Sequence, residues 1–332
     1  MRPQTVTPKC RLRVTIAALF SVVLPLTARS QQSPVEDASS TIQVKVNVVN
    51  ILATVRDKHG ALINSLTKNE FIVREDRQLQ TIKYFARETD VPLIIGLLVD
   101  ISNSQHKLIE SEREAAYQFF NQVLRRQDLA FLITFGQNVE LLQDFADSPS
   151  QLQMALDQMH GDSAAPGTRS AVPNRGGTVL YDAVHVAAAD RLRNKTGRKI
   201  IVLITDGIDS GSKLKLEDAI KAAQQADTII YSICYFDPSA YDYDLSSLAE
   251  SDLVLRKMSG ETGGRVFRVD HQHSLPKIFV ELEQEVRSQY AIGYVPTNLK
   301  LDGSFRRTEL RTVDRSLTVR ARKGYYAVPA QQ

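Results

Sequence analysis

Two kinds of periodicity divide this chain. Residues 41–86 alternate apolar and polar positions, with Ile42, Val44, Val46 and Val48 on one face and Gln43, Lys45 and Asn47 on the other. Asp57-Lys58-His59-Gly60 and Glu75-Asp76-Arg77 have the composition of turns, so this segment predicts about five short strands. From Val91 onward short apolar runs alternate with amphipathic stretches. The run 91–99 (VPLIIGLLV) reads as a buried parallel strand. Residues 110–126 place Ala115, Ala116, Phe119, Phe120, Val123 and Leu124 at helical spacing. Residues 129–135 and 139–145 read as a strand pair, and Ser148-Pro149 opens a helix through Met159. Residues 161–177 hold almost no apolar side chain and read as a long loop. An alanine-rich helix follows over 179–193, then a strand over 199–205, a helix over 215–226 and a strand over 228–236. A helix over 253–261, a strand over 265–269 and a helix over 275–288 complete the series. Strand character returns at 290–295, 305–313 and 317–327, with Asp302-Gly303 as a hairpin turn.

This alternation argues for an α/β fold, a doubly wound and mostly parallel sheet with helices on both faces. The strand pair after the first helix would give it one antiparallel edge. The β segments 41–88 and 289–327 flank the α/β region 91–288. Each is near the roughly 40-residue size below which a domain without disulfides or metal rarely stands alone. Joined, they offer about eight strands, enough for one β-sandwich domain into which the α/β region is inserted. No internal repeat and no low-complexity tract is present.

The first 40 residues stand apart from both patterns. Arg2, Lys9, Arg11 and Arg13 precede an apolar stretch, 14–26, that is short for a membrane span, and Ala28-Arg29-Ser30 follows with small-x-small spacing. This is the layout of a signal peptide over 1–30, with cleavage near Gln31; an uncleaved anchor is the alternative. Residues 31–40 read as a flexible lead-in. The expected location is outside the cytoplasm, secreted or in the periplasm or cell envelope.

Cleavage changes the charge. Residues 1–30 hold five of the basic residues and no acid, so 41 basic against 38 acidic residues become 36 against 38. The mature chain has no electrostatic case for nucleic acid. It keeps one cysteine, Cys234, which excludes an internal disulfide and reads as a buried thiol in a strand.

Candidate chemistry gathers where strands end. The first parallel strand runs into Asp100-Ile101-Ser102-Asn103-Ser104. In doubly wound sheets ligands bind at the carboxyl ends of strands. One carboxylate and two hydroxyls at i, i+2 and i+4 point the same way if the chain stays extended. A second junction, Gly176-Gly177-Thr178, precedes the alanine-rich helix, and a third, Thr205-Asp206-Gly207, ends the strand at 199 (KIIVLITDG). All these side chains offer hard oxygens, which suit Mg²⁺, Mn²⁺ or Ca²⁺ and not zinc. Each junction read singly is also an ordinary strand-ending turn, with Ser104 or Thr178 as a helix cap. Asp209 is placed either to orient a water or to stabilise its turn. His271 and His273 read as a solvated turn. No Gly-x-Ser-x-Gly elbow, His-Glu-x-x-His helix or phosphate-binding loop is present, and nothing pairs a nucleophile with a general base.

Asp100, Ser102, Ser104, Thr178 and Asp206 match, residue for residue, the metal-ion-dependent adhesion site of the von Willebrand factor type A domain. The resemblance covers about residues 92–288. The whole chain resembles a family of secreted bacterial proteins related to that domain and common in acidobacteria. The resemblance implies that Ser102, Ser104 and Thr178 ligate a divalent ion directly, Mg²⁺ first and Mn²⁺ or Ca²⁺ as alternatives. It implies that Asp100 and Asp206 act largely through bound waters. It also implies a protein partner that supplies an Asp or Glu carboxylate to the ion. The competing expectations are a metal-dependent envelope hydrolase acting on phosphate or ester substrates, and a structural scaffold without metal.

Overall fold

A computed structural model describes residues 47–88, 91–161, 177–236 and 245–328. The expected signal segment, the lead-in, Gly176 and most of the long loop lie outside these residues.

The N-terminal β segment forms β1 (Val49–Arg56), β2 (Phe71–Glu75), β3 (Gln78–Gln80) and β4 (Ile82–Glu88). β2 and β3 close through Asp76 and Arg77, both in the left-handed region, at φ 46° and 71°. This is the backbone that a two-residue hairpin requires. The phase of β1 differs from the expected one. Val48 is exposed, whereas Val49, Ile51, Ala53 and Val55 are buried. The adjacent Val48-Val49 pair shifts the alternation by one residue, and the strand takes its register from Val49 onward.

The α/β region follows with β5 (Leu93–Asp100), α1 (Ile109–Val123), β6 (Leu129–Phe135), β7 (Val139–Ala146) and α2 (Pro149–Leu156). Next come α3 (Leu180–His185), which continues as a π-helical turn over Val186–Leu192, then β8 (Arg198–Thr205), α4 (Leu216–Gln225) and β9 (Thr228–Cys234). It ends with α5 (Leu245–Thr262), β10 (Val266–Arg268) and α6 (Leu275–Val286). α5 begins eight residues earlier than the apolar spacing predicted. The chain then returns to β11 (Gln289–Tyr294), β12 (Phe305–Thr312), β13 (Thr318–Ala321) and β14 (Gly324–Tyr326).

The central sheet has the order β10-β9-β8-β5-β6-β7, parallel throughout except for β7, which pairs antiparallel with β6. β5 is buried along its whole length. Leu93, Ile95, Leu97 and Val99 face one layer of helices with Phe119, Phe120, Phe279 and Leu282. Ile94 and Leu98 face the other, with Leu180, Ala187, Ala223 and Met258. Gly96 admits no side chain, because a Cβ there would lie 2.4 Å from Phe131 Cζ. The sequence read this sheet and its antiparallel edge correctly.

The two flanking β segments weave together. One four-stranded sheet has the order β13-β1-β11-β4 and a second has β14-β12-β2-β3, so each sheet draws strands from both ends of the described chain. Ile51, Val55, Phe71, Val73, Tyr290, Ile292 and Tyr294 form their shared core. At its polar centre Glu75 accepts hydrogen bonds from Tyr294 Oη at 2.7 Å and Tyr325 Oη at 2.9 Å. The expected Asp302-Gly303 hairpin does not form. β11 and β12 lie in different sheets, and Gly303 donates its N–H to Ala327 O beside β14. The connection carries the chain from one sheet to the other, so the turn chemistry serves a crossover.

Arg56 of β1 and Arg265 before β10 both bond Glu285 of α6, at 2.6 and 2.7 Å. Arg287 bonds buried Asp128, which also accepts Leu93 N at 2.7 Å and so fixes the start of β5. Among the described residues no helix is long and apolar enough to cross a membrane.

Candidate functional site

The site sits at the carboxyl ends of β5 and β8, neighbours in the sheet. β5 delivers Asp100, fully buried, and the chain turns at once. Ile101 N bonds Phe135 O, and Ser102 starts a single tight turn over residues 103–105, closed by Gln105 N on Ser102 O. The run is therefore not extended, as the i, i+2, i+4 reading required. Asp100 Oδ1 accepts Ser102 N at 3.0 Å, an Asx turn that bends the backbone and brings both serines back over the strand end.

The hydroxyls are not spent on helix caps. α1 begins after Leu108, and the turn over 103–105 has no side-chain cap bond. Ser102 Oγ and Ser104 Oγ lie 3.1 Å apart, and Ser104 Oγ donates to Asp206 Oδ2 at 2.6 Å. From the β8 side, Thr205 Oγ1 donates to Asp100 Oδ2 at 2.6 Å and receives Gly207 N at 3.0 Å. Asp206 Oδ1 accepts Ile208 N at 3.0 Å. Gly207 has φ +86°, and a Cβ there would meet Leu255 Cγ at 2.9 Å, so the turn that presents Asp206 needs glycine. Asp100, Ser102, Ser104 and Asp206 thus form one connected network.

Thr178 belongs to the same group of loops but not to that network. Its N–H donates to Ser210 Oγ at 3.1 Å, and its carbonyl accepts Ser210 N and Gly211 N at 3.1 and 3.0 Å. These bonds hold it against the loop that follows Asp206. Its hydroxyl makes no hydrogen bond among the described residues. It does not cap α3 either, because the cap position is Val179.

Two residues that sequence reasoning missed lie under the site. Gln105, fully buried, donates Nε2 to Asp206 Oδ2 at 3.0 Å and to Tyr235 O at 3.3 Å, while its Oε1 has no partner among the described residues. Glu112 of α1 is fully buried, and neither carboxyl oxygen has a partner among the described residues. The only available signal was its place in the helix: an acid on the face that carries Ala115, Ala116, Phe119 and Val123. Asp209 Oδ1 accepts Ser212 Oγ at 2.5 Å and Tyr181 N at 3.2 Å, bonds that stabilise its turn. His273 bonds exposed Asp270, as expected of a solvated turn. Cys234 ends β9 as a free thiol, pushed up to about 11 chiefly by burial.

Electrostatically the two carboxylates oppose each other. Burial first, and then the charge of Asp206, push Asp100 up to about 7 against the hydrogen bonds of Thr205 and Ser102. Burial, Asp100 and Asp206 drive Glu112 well above the usual carboxylate range. Among the described residues no three His, Cys, Asp or Glu side chains gather in a way that could hold a metal. The oxygens here are of another kind: two carboxylates with neutral hydroxyls between them. That donor set fits a hard divalent cation, and the mutual repulsion of Asp100 and Asp206 is a charge that such a cation would relieve.

Comparison with known proteins agrees with the topology. A family model described as von Willebrand factor type A domain matches residues 95–281, more than half of the chain. No curated protein matches. Among solved structures, the chain is similar to the conserved hypothetical protein BatB from Bacteroides thetaiotaomicron, at 16% identity and TM-score 0.44, covering 58% of this chain and 97% of that one. It is similar to the vWF domain of the type V pili tip protein Mfa5 from Porphyromonas gingivalis, at 12% identity and TM-score 0.45, covering 60% and 96%. It is also similar to proximal thread matrix protein 1 from the mussel byssus, at 13% identity and TM-score 0.48, covering 64% and 51%. The six-stranded sheet with helices on both faces and the family match over most of it lead to one conclusion: the chain belongs to the von Willebrand factor type A domain family.

Proposed function

We propose that this protein is an exported binding module that captures a carboxylate-bearing protein partner through a divalent ion held by Asp100, Ser102, Ser104, Thr178 and Asp206. Domains of this family are typically protein-interaction modules. The observation that carries the reading is the single hydrogen-bonded network that links Asp100, Ser102, Ser104 and Asp206 across two strand ends.

The residues divide the work. Ser102, Ser104 and Thr178 supply neutral hydroxyl ligands, and the Thr178 hydroxyl has no competing bond. Asp100 and Asp206 carry the negative charge and hold waters toward the ion. Thr205 and Ser102 N orient Asp100, while Gln105 and Ile208 N orient Asp206. When bound, the ion supplies an electrophilic position for a partner's oxygen. Neutral ligands leave its charge largely uncompensated, which favours an Asp or Glu carboxylate over a neutral amide. Binding is preferred to hydrolysis because the bonds that join Asp100, Ser102, Ser104 and Asp206 are among carboxylates, hydroxyls and backbone N–H groups. Export rests on the basic, apolar and small-residue layout of residues 1–30.

The test is capture of Asp- or Glu-containing peptides on immobilised protein, against their Asn and Gln counterparts, in Mg²⁺ and then in chelator. Acidic peptides should be retained in Mg²⁺ only. Retention that ignores chelator, or turnover of phosphate or ester substrates in Mg²⁺, would overturn the reading.

A further inference from the structure

At the opposite end of the same strands lies a cavity of about 430 Å³. It opens where β8 and β9 begin, roughly 20 Å from the candidate metal site at the 3.3 Å rise of a parallel strand. Its walls come from both parts of the fold: Leu52 of β1, Val91, the start of β8 at Arg198 and Lys199, Ile229 of β9, and Arg322 after β13. The volume falls within the range of small-molecule sites.

Four cations line it, and three are committed. Arg198 donates to Val286 O at 2.6 Å and to Val91 O at 3.2 Å. Arg322 bonds Asp227 and reaches Asn50 O at 2.5 Å. Lys195 places its ammonium 4.1 Å over the ring of Phe145. Lys199 differs. It is 8% exposed, yet its ammonium has no hydrogen-bond or ion-pair partner among the described residues. Asp227, the acid whose charge acts on Lys199, also lines the cavity but is held by Arg322. Lysine is almost never this buried unless it is paired, because an uncompensated charge is costly to desolvate. Burial accordingly lowers the Lys199 pKa. Leu52, Val91 and Ile229 give the cavity an apolar wall, and Thr196, Gln224, Thr228, Thr262 and the Arg322-paired Asp227 line the remainder.

We propose that this cavity binds a small organic anion, a carboxylate with an apolar body, with Lys199 as its counter-ion. The carboxylate would pair with the Lys199 ammonium, which Asp227 does not bond, and the apolar body would lie against Leu52, Val91 and Ile229. This site is independent of the divalent ion at the other end of the sheet.

Hexanoate is the probe, titrated calorimetrically into the full mature chain, with hexanamide as its neutral isostere and inorganic phosphate as an anion without an apolar body. Hexanoate should bind one to one, hexanamide and phosphate at least tenfold more weakly, and chelator should change nothing. Amide resonances of Gly197, Thr228 and Ile229 should shift with hexanoate. Lys199→Met should weaken hexanoate at least tenfold with an unchanged circular dichroism spectrum. Should that variant fail to fold, the comparison of hexanoate with hexanamide on wild type still decides. Equal binding of hexanoate and hexanamide, equal binding of phosphate, undiminished binding to folded Lys199→Met, or no saturable binding would each overturn the assignment.

Discussion

Thr205 Oγ1 donates a 2.6 Å hydrogen bond to Asp100 Oδ2, tying the ends of two neighbouring parallel strands together at the centre of the sheet. Asp100 is fully buried, so its carboxylate is part of the packed interior as well as of the site. Substitutions there should separate by what they leave behind. Asp100→Ala strands the Thr205 hydroxyl and Ser102 N, and unsatisfied buried groups cost about 1–3 kcal/mol. Asp100→Asn keeps an acceptor and removes a charge that Asp206 opposes. Denaturant unfolding in chelator at neutral pH should rank Asp100→Asn above Asp100→Ala by about 1 kcal/mol or more. The reverse order would mean that Thr205 and Ser102 do not depend on this carboxylate.

The same repulsion should be visible in the pH dependence of stability. Asp100 has a native pKa of about 7, raised from 3.8 by burial and Asp206. The native state therefore holds this proton more tightly than the unfolded chain does. Its contribution to stability is fully present below pH 3.8 and is lost as pH rises through about 7. In chelator, unfolding free energy should carry this falling component between those limits. Saturating Mg²⁺ should flatten it, because the ion favours the charged form. Asp100→Asn should lack it, and an identical slope in that variant would contradict the assignment.

The sheet was legible in the sequence because its strands are buried on both faces and read as continuous apolar runs. The junctions Asp100–Ser104 and Thr205–Gly207 were legible because they interrupt those runs. What was not legible depends on partners distant in sequence. The extended geometry expected for Asp100, Ser102 and Ser104 gave way to an Asx turn that local spacing does not announce. The Asp302-Gly303 turn looked like a hairpin because turn chemistry is local, whereas the choice of sheet for β12 is set by its pairing with β2. Gln105 and Glu112 carried no motif, and only the folded arrangement brings them beneath the site.

Glu112 offers a separate test. Both of its oxygens are buried without partners among the described residues, and burial, Asp100 and Asp206 shift its carboxyl well above the usual range. An apolar replacement of similar volume removes a polar group that gains nothing. Glu112→Met should raise stability by about 1 kcal/mol or more in urea unfolding. A loss of similar size would show that the carboxyl makes an interaction that stabilises the fold.

Gly96 tests the packing that positions β5. A methyl group there would press on the Phe131 ring from 2.4 Å. Overpacking of this kind costs about 1–3 kcal/mol, so Gly96→Ala should lower the melting temperature clearly. Phe131→Leu in the same chain should recover part of the loss. Simple addition of the two costs would mean that the residues do not meet.

The central claim is that Asp100, Ser102, Ser104, Thr178 and Asp206 hold a divalent ion, and Mg²⁺ titration by calorimetry tests it most directly. Wild type should bind one Mg²⁺. Asp100→Asn should bind none while remaining folded. Thr178→Ala should bind severalfold more weakly without the stability loss of a removed helix cap, because Val179 and not Thr178 stands at the cap of α3. Equal Mg²⁺ affinity in wild type and Asp100→Asn, or no binding by wild type, would contradict the account.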